Sequence, residues 1–165
     1  MIGLFGAVSI VLGILETFIP LPVPAVRLGL ANLGVMMMFY AGGVAPAASV
    51  MILKMLLVPL LTGNLLFRLS LSVPSSTMAF IGMALCFIFL RKYTSPVTMG
   101  VVGAFLHMIT QLFMINLLYI KGIYYTALLS AFLFAAIATG ILTGVITILA
   151  MRRIIPLYTK GVSNG

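Results

Sequence analysis

The chain has 165 residues, of which 64% are hydrophobic and only 6% charged, with a mean hydropathy of +1.35. Nine Lys and Arg stand against one acidic residue, Glu16, giving a net charge of +8. A soluble domain carries roughly 25% charged residues. The composition therefore excludes a soluble globular domain, a disordered chain and, with Cys86 as the single cysteine, a disulfide-stapled secreted fold; an integral membrane protein is expected.

A helix that crosses a bilayer needs about 20 apolar residues. Six spans are predicted, over 2–18, 27–41, 45–61, 69–90, 97–120 and 124–151. The first ends at Pro20-Leu21-Pro22-Val23-Pro24, the second at Gly42-Gly43 and the third at Thr62-Gly63-Asn64. The fourth is interrupted by Pro74-Ser75-Ser76 and closes at Arg91-Lys92. The fifth closes at Lys121-Gly122 and the sixth at Arg152-Arg153. The fold class expected is an all-α integral membrane protein, a bundle of about six transmembrane helices forming a single transmembrane domain over 1–165. The loops are too short for a separate soluble domain. No cleaved signal peptide is expected, since the N-terminus lacks a basic n-region.

Lys and Arg gather on the cytoplasmic side of membrane proteins. Six spans place Arg91, Lys92, Arg152, Arg153 and Lys160 on one side, and Arg27, Arg68 and Lys121 on the other. The expectation is a multi-pass protein of the cell (cytoplasmic) membrane with both termini in the cytoplasm. The positive charge is dispersed among apolar spans and is read as orientation; no nucleic-acid partner is expected.

One acidic residue forbids much chemistry. Glycosidases need two carboxylates, and a prenyl-diphosphate synthase holds Mg²⁺ and diphosphate with clustered Asp. Zinc sites need several His or Cys, and the chain has one of each, His107 and Cys86. No G-x-x-x-x-G-K-[ST] phosphate loop is present. No catalytic residue, metal site or cofactor is expected, and the default is binding or transport within the bilayer rather than an enzyme.

Ionisable residues inside a span cost about 2.5–3.5 kcal/mol each at the centre, so those present invite a function. Glu16 lies about 21 Å from the start of the first span, Lys54 about 14 Å into the third and His107 about 15 Å into the fifth. Arg27 opens the second span, Asn32 follows just over a turn later, and Gln111 lies one turn beyond His107. All fall between the midplane and the outer face. Helical phase adds a stripe of Gly6, Ser9, Gly13 and Glu16, and another of Gly100, Gly103, His107 and Gln111. In the sixth span Ala136, Gly140 and Gly144 form a small-residue packing edge beside Thr139, Thr143 and Thr147.

Blander readings exist for each. Glu16 with Arg27 or Lys54 could be a structural ion pair, and His107 with Gln111 an interhelical clamp. Arg68 and Lys121 read as interfacial anchors, and Met36-Met37-Met38 as core or lipid-facing filler. The convergence of several spans on one depth favours a substrate-binding site of Glu16, Arg27, Asn32, Lys54, His107 and Gln111. There Arg27 and Lys54 would hold an anionic group, and the broken 20–24 segment would form an outer lid.

The stretch Glu16-Thr17-Phe18-Ile19-Pro20-Leu21-Pro22-Val23-Pro24-Ala25-Val26-Arg27-Leu28-Gly29-Leu30-Ala31-Asn32 resembles the signature of the Gx transporter family, also labelled heptaprenyl diphosphate synthase component I. The family pattern reads roughly E-x₃-P-x-P-x-P-G-x-[KR]-L-G-L-A-N, with Ala25 here in place of a usual Gly. Lys54 falls where the family has a basic residue. His107 and Gln111 match its histidine–glutamine pair, although Met108 and Thr110 depart from the usual H-N-x-G-Q. Thr139-Gly140 matches a late T-G, and a usual Gly pair is absent at Ser72-Val73.

The resemblance implies a six-helix protein similar to the substrate-binding S components of energy-coupling-factor transporters. Such a subunit binds a vitamin- or cofactor-like small molecule near the outer face, amid membrane lipid, and works with a transmembrane coupling protein and ATPase subunits. Gly3 and Ala7 would be the small pair through which the first helix docks on that coupling protein. Relatives encoded near flavin-linked or quinone genes point to a flavin or isoprenoid cargo. The competing expectation is a non-catalytic accessory subunit of isoprenoid or quinone synthesis; a third is a proton- or ion-coupled carrier using Glu16 and His107.

Overall fold

The computed structural model describes residues 1–19, 27–90, 94–119 and 124–163, with the side chains of 124–128 and 154–163 outside the description. The described residues form six α-helices and no strand: α1 (Ile2–Leu15), α2 (Asn32–Gly42), α3 (Val44–Thr62), α4 (Leu65–Phe89), α5 (Pro96–Leu118) and α6 (Tyr124–Ser163). One 3-10 turn, Glu16–Phe18, prolongs α1. Helices α3, α4, α5 and the Leu129–Arg153 stretch of α6 are long and apolar enough to cross a bilayer. The chain is an all-helical, multi-pass membrane protein. The predicted 20–24 lid, the Arg91–Lys92 loop and Lys121 lie outside the described residues.

The predicted second span differs most from the structure. Its helix begins at Asn32 rather than at Arg27 and runs 11 residues, about 16 Å, well short of a bilayer core of about 30 Å. Gly29 adopts a φ of +89°, a left-handed conformation that glycine takes without steric cost and that no right-handed helix contains. The helix then starts with tight i→i−3 bonds, from Asn32 N–H to the Gly29 carbonyl (2.9 Å) and from Leu33 N–H to that of Leu30 (3.0 Å). Every residue from Asn32 to Phe39 is buried. A helix apolar all round belongs in the middle of a bundle: α2 packs on α1, α3, α5 and α6. Met36, Met37 and Met38 are accordingly core residues, clustered with Phe5, Phe39, Met83 and Met99.

Two other boundaries move. Pro74 sits inside a continuous α4. Proline removes a backbone donor, and hydroxyls of the same turn engage neighbouring carbonyls: Ser75 Oγ donates to Leu71 (2.6 Å) and Thr77 Oγ1 to Val73 (2.7 Å). The apolar stretch of α6 ends at Arg153, but the helix runs on to Ser163, because two arginines end a hydrophobic span without disfavouring helix. At its start α5 is specified locally, with Ser95 Oγ accepting the Thr98 N–H (3.2 Å) and Pro96 in the first turn.

Small residues set the closest crossings. A Cβ on Gly140 would fall 2.5 Å from the Val101 Cα, and one on Gly144 2.4 Å from the Val97 Cα. Backbones of α5 and α6 therefore touch along the Ala136–Gly140–Gly144 edge. At the α1–α2 crossing a Cβ on Gly34 would meet the Phe5 carbonyl oxygen at 2.2 Å. These contacts close the bundle around the polar groups that follow.

Candidate functional site: a buried cation cluster

Helical phase brings costly groups inward. The α1 stripe Gly6, Ser9, Gly13 and Glu16 is buried throughout, as is the α5 stripe Gly100, Gly103, His107 and Gln111. Glu16, Arg27, Asn32, Lys54, His107 and Gln111 are all buried, none exposing more than 8% of its surface. They face protein, not hydrocarbon.

Contacts join them into one cluster. The Glu16 carboxylate, at the end of α1, accepts the backbone N–H of Leu30, just ahead of α2. The Ala31 N–H supports it, and Lys54 and Arg27 lie within electrostatic reach. Glu16 thus occupies the positive N-terminal end of α2, where an anionic side chain is favoured. Lys54 of α3 donates its ammonium proton to Asn32 Oδ1. The backbone N–H of Arg27 donates to Gln111 Oε1 of α5 at 2.9 Å. His107 lies within electrostatic reach of both Lys54 and Arg27. Its Nδ1 and the Asn32 Nδ2 flank Gly29, 3.9 and 3.3 Å from where a Cβ would sit.

Four contributors escaped the sequence reading. Arg68 of α4, expected to be an interfacial anchor, lies within electrostatic reach of Arg27 and is only half-exposed. Ser75, fully buried, holds His107 Nε2 at 3.3 Å. Thr139 of α6 donates to the Leu28 carbonyl at 3.1 Å, tying the segment ahead of α2 to the far helix. Gly29, without a side chain, lets its backbone pack closely against Asn32 and His107. Signals for two of these were present: Ser75 is a hydroxyl in an apolar span beside a proline, and Thr139 opens the threonine stripe.

Charge does not balance here. Two cations, Lys54 and Arg27, lie within electrostatic reach of one carboxylate whose acceptor capacity is shared with backbone N–H groups, and a third, Arg68, lies within reach of Arg27. Five buried side-chain polar atoms have no hydrogen-bond partner among the described residues: Ser9 Oγ, Arg27 Nη2, Asn32 Nδ2, Ser76 Oγ and His107 Nδ1. Buried polar groups in native proteins are nearly always paired, and an unpaired one costs about 1–3 kcal/mol. Three of the five belong to this cluster. Its surplus positive charge and unfilled donors are complementary to an anion. Among the described residues no group of three or more His, Cys, Asp or Glu could hold a metal ion.

A family model described as heptaprenyl diphosphate synthase component I matches residues 5–149. No curated protein and no solved structure matches the chain.

Proposed function

The chain belongs to the heptaprenyl diphosphate synthase component I family, and from that premise we propose that it is a non-catalytic, membrane-embedded subunit that binds a small anionic molecule. The observation that carries this reading is the buried surplus of positive charge: Arg27 and Lys54, with Arg68 nearby, opposed by Glu16 alone. A buried cation without a full counterion is expensive, so a protein that keeps two of them in its core has a partner in view. Arg27 offers a forked donor for a phosphate or carboxylate, and Lys54 a point charge beside it. Glu16, Asn32 and Gln111 act as positioning residues, holding Lys54 and the segment from Arg27 to Ala31 in place.

Synthase chemistry itself does not fit the residues. Ionising an allylic diphosphate calls for divalent metal held by clustered carboxylates, and the chain has no acidic residue besides Glu16. The finer reading is a substrate-binding subunit of an energy-coupling-factor-type transporter in the cytoplasmic membrane, with both termini in the cytoplasm and a vitamin- or cofactor-like cargo such as a flavin. A transmembrane coupling protein and ATPases would then be its partners. The family description favours a second reading, an accessory membrane subunit of isoprenoid or quinone synthesis. Co-purification separates the two: capture of a coupling protein with ATPases supports transport, and capture of a soluble prenyltransferase supports the accessory role.

Binding itself is tested on purified protein in detergent. Small anions, inorganic phosphate and benzoate, are expected to raise the melting temperature of the wild type and to leave Arg27→Gln and Lys54→Met unmoved. Equal stabilisation of wild type and both variants would reject the site.

A further inference from the structure

The partners of Asn32 and His107 fix the chemical sense of each atom left unpaired, and so describe the ligand beyond its charge. Lysine ammonium can only donate. The Asn32 atom that faces Lys54 Nζ is therefore the carbonyl oxygen, and the amide nitrogen, Nδ2, is the atom turned toward Gly29. That nitrogen is a donor with no partner among the described residues.

The same logic orients His107. Ser75 has one hydroxyl proton, and its nearest acceptor is the Leu71 carbonyl at 2.6 Å. Having donated there, Ser75 Oγ can only accept from His107 Nε2, 3.3 Å away. Nε2 thus carries the imidazole proton, and in the neutral ring Nδ1 is a bare lone pair. It too has no partner among the described residues, and like Asn32 Nδ2 it lies against Gly29, 3.9 Å from the position a Cβ there would take. Glycine at 29, with its left-handed φ, lets the backbone lie this close to both side chains.

A buried donor and a buried acceptor thus lie against the same residue, and His107 is within electrostatic reach of Arg27. We propose that the ligand carries, beside its anionic group, a neutral edge that both accepts and donates hydrogen bonds. An amide or imide edge of a small heterocycle, O=C–N–H, is the matching chemistry: its carbonyl accepts from Asn32 Nδ2 and its N–H donates to His107 Nδ1. This rests on the anion-binding reading above and adds the part of the ligand that gives specificity. A plain anion would satisfy Arg27 and leave Asn32 and His107 unpaired, and sites with buried polar groups discriminate strongly against ligands that leave them so.

Two measurements test it. His107 is the only histidine, so ¹⁵N NMR of histidine-labelled wild-type protein at neutral pH reads one imidazole. The expected spectrum shows a protonated Nε2 and an unprotonated Nδ1; a proton on Nδ1, in either the other tautomer or the imidazolium, overturns the inference. The second uses two probes of equal ring size and charge, orotate, which has imide and amide edges, and benzoate, which has none. Orotate is expected to bind about tenfold or more tightly, the worth of one added hydrogen-bonded pair. That gap, read as the ratio of orotate to benzoate affinity, closes in His107→Phe, which leaves Arg27, Lys54 and the Asn32 contact to Lys54 in place. Equal affinities that both depend on Arg27 would overturn the inference and leave the anion site standing. Binding of neither probe, or binding indifferent to Arg27→Gln, would overturn the anion site and the inference with it.

Discussion

The carboxylate of Glu16, at the end of α1, accepts the backbone N–H of Leu30, just ahead of α2. The one acidic side chain in the protein is thereby committed to shaping the segment that carries Arg27, Gly29 and Asn32. It also faces Lys54 and Arg27. Local backbone geometry and the charge of the site therefore depend on the same atoms.

Removing that charge should be costly. Glu16→Gln keeps one acceptor for the Leu30 N–H but leaves Lys54 and Arg27 without a counter-charge. Leaving two buried cations without their counter-charge lowers stability. A marked fall in melting temperature in detergent is expected, partly recovered by the double variant Glu16→Gln with Lys54→Met. Failure of the second change to restore stability would show that the carboxylate acts only through the backbone.

Close helix crossings make a second prediction. Gly140→Ala places a methyl 2.5 Å from the Val101 backbone, which no side-chain rotation relieves, and overpacking of this sort costs about 1–3 kcal/mol. Gly3→Ala adds a methyl with nothing within 4 Å and should leave the melting temperature unchanged. Thermal unfolding of the two variants side by side measures the difference.

Thr139 should matter for binding more than for stability. Its single hydroxyl proton is within reach of the Leu28 carbonyl (3.1 Å) and, in competition, of the Ala135 (2.9 Å) and Ala136 (3.1 Å) carbonyls of its own helix. Thr139→Val removes the link to the site segment at a cost of about 1 kcal/mol. Faster hydrogen exchange is expected at Leu28 to Ala31, together with weaker anion binding. Unaltered exchange in that segment would show that the α6 contact does not hold it.

Ser75→Ala removes the acceptor that fixes His107 Nε2. The expected result is a mixture of imidazole tautomers in the ¹⁵N spectrum, against one in the wild type, with the helical circular dichroism preserved. A single unchanged tautomer would assign the orientation of His107 to other neighbours.

Hydropathy alone made α3, α4, α5 and the membrane part of α6 legible, because lipid demands long apolar helices and nothing else. It could not place the start of α2. The stretch 27–31 is as apolar as a helix, and what unwinds it is a tertiary event: the Glu16 carboxylate takes the Leu30 N–H, and Gly29 turns left-handed. Pro74 read as an interruption because a proline's effect on its own helix is visible in sequence, while the packing of α4 between α3 and α5 that carries the helix through it is not. In the cluster, depth counting along each helix found the six costly residues. Their partners were harder to see. Ser75 and Thr139 are inexpensive to bury when they bond to their own helix, so their presence in a span carries little warning. Arg68 sits near a predicted interface, where arginine is commonplace.

The claim on which the account turns is that buried positive charge is kept for an anionic guest. Mass spectrometry of small molecules released from purified wild-type and Arg27→Gln protein, prepared alike from the same membranes, addresses it most directly. The account predicts an anionic small molecule held by the wild type and lost from a variant that retains its helical content. The same species at the same occupancy in both, or only neutral species in the wild type, would contradict it.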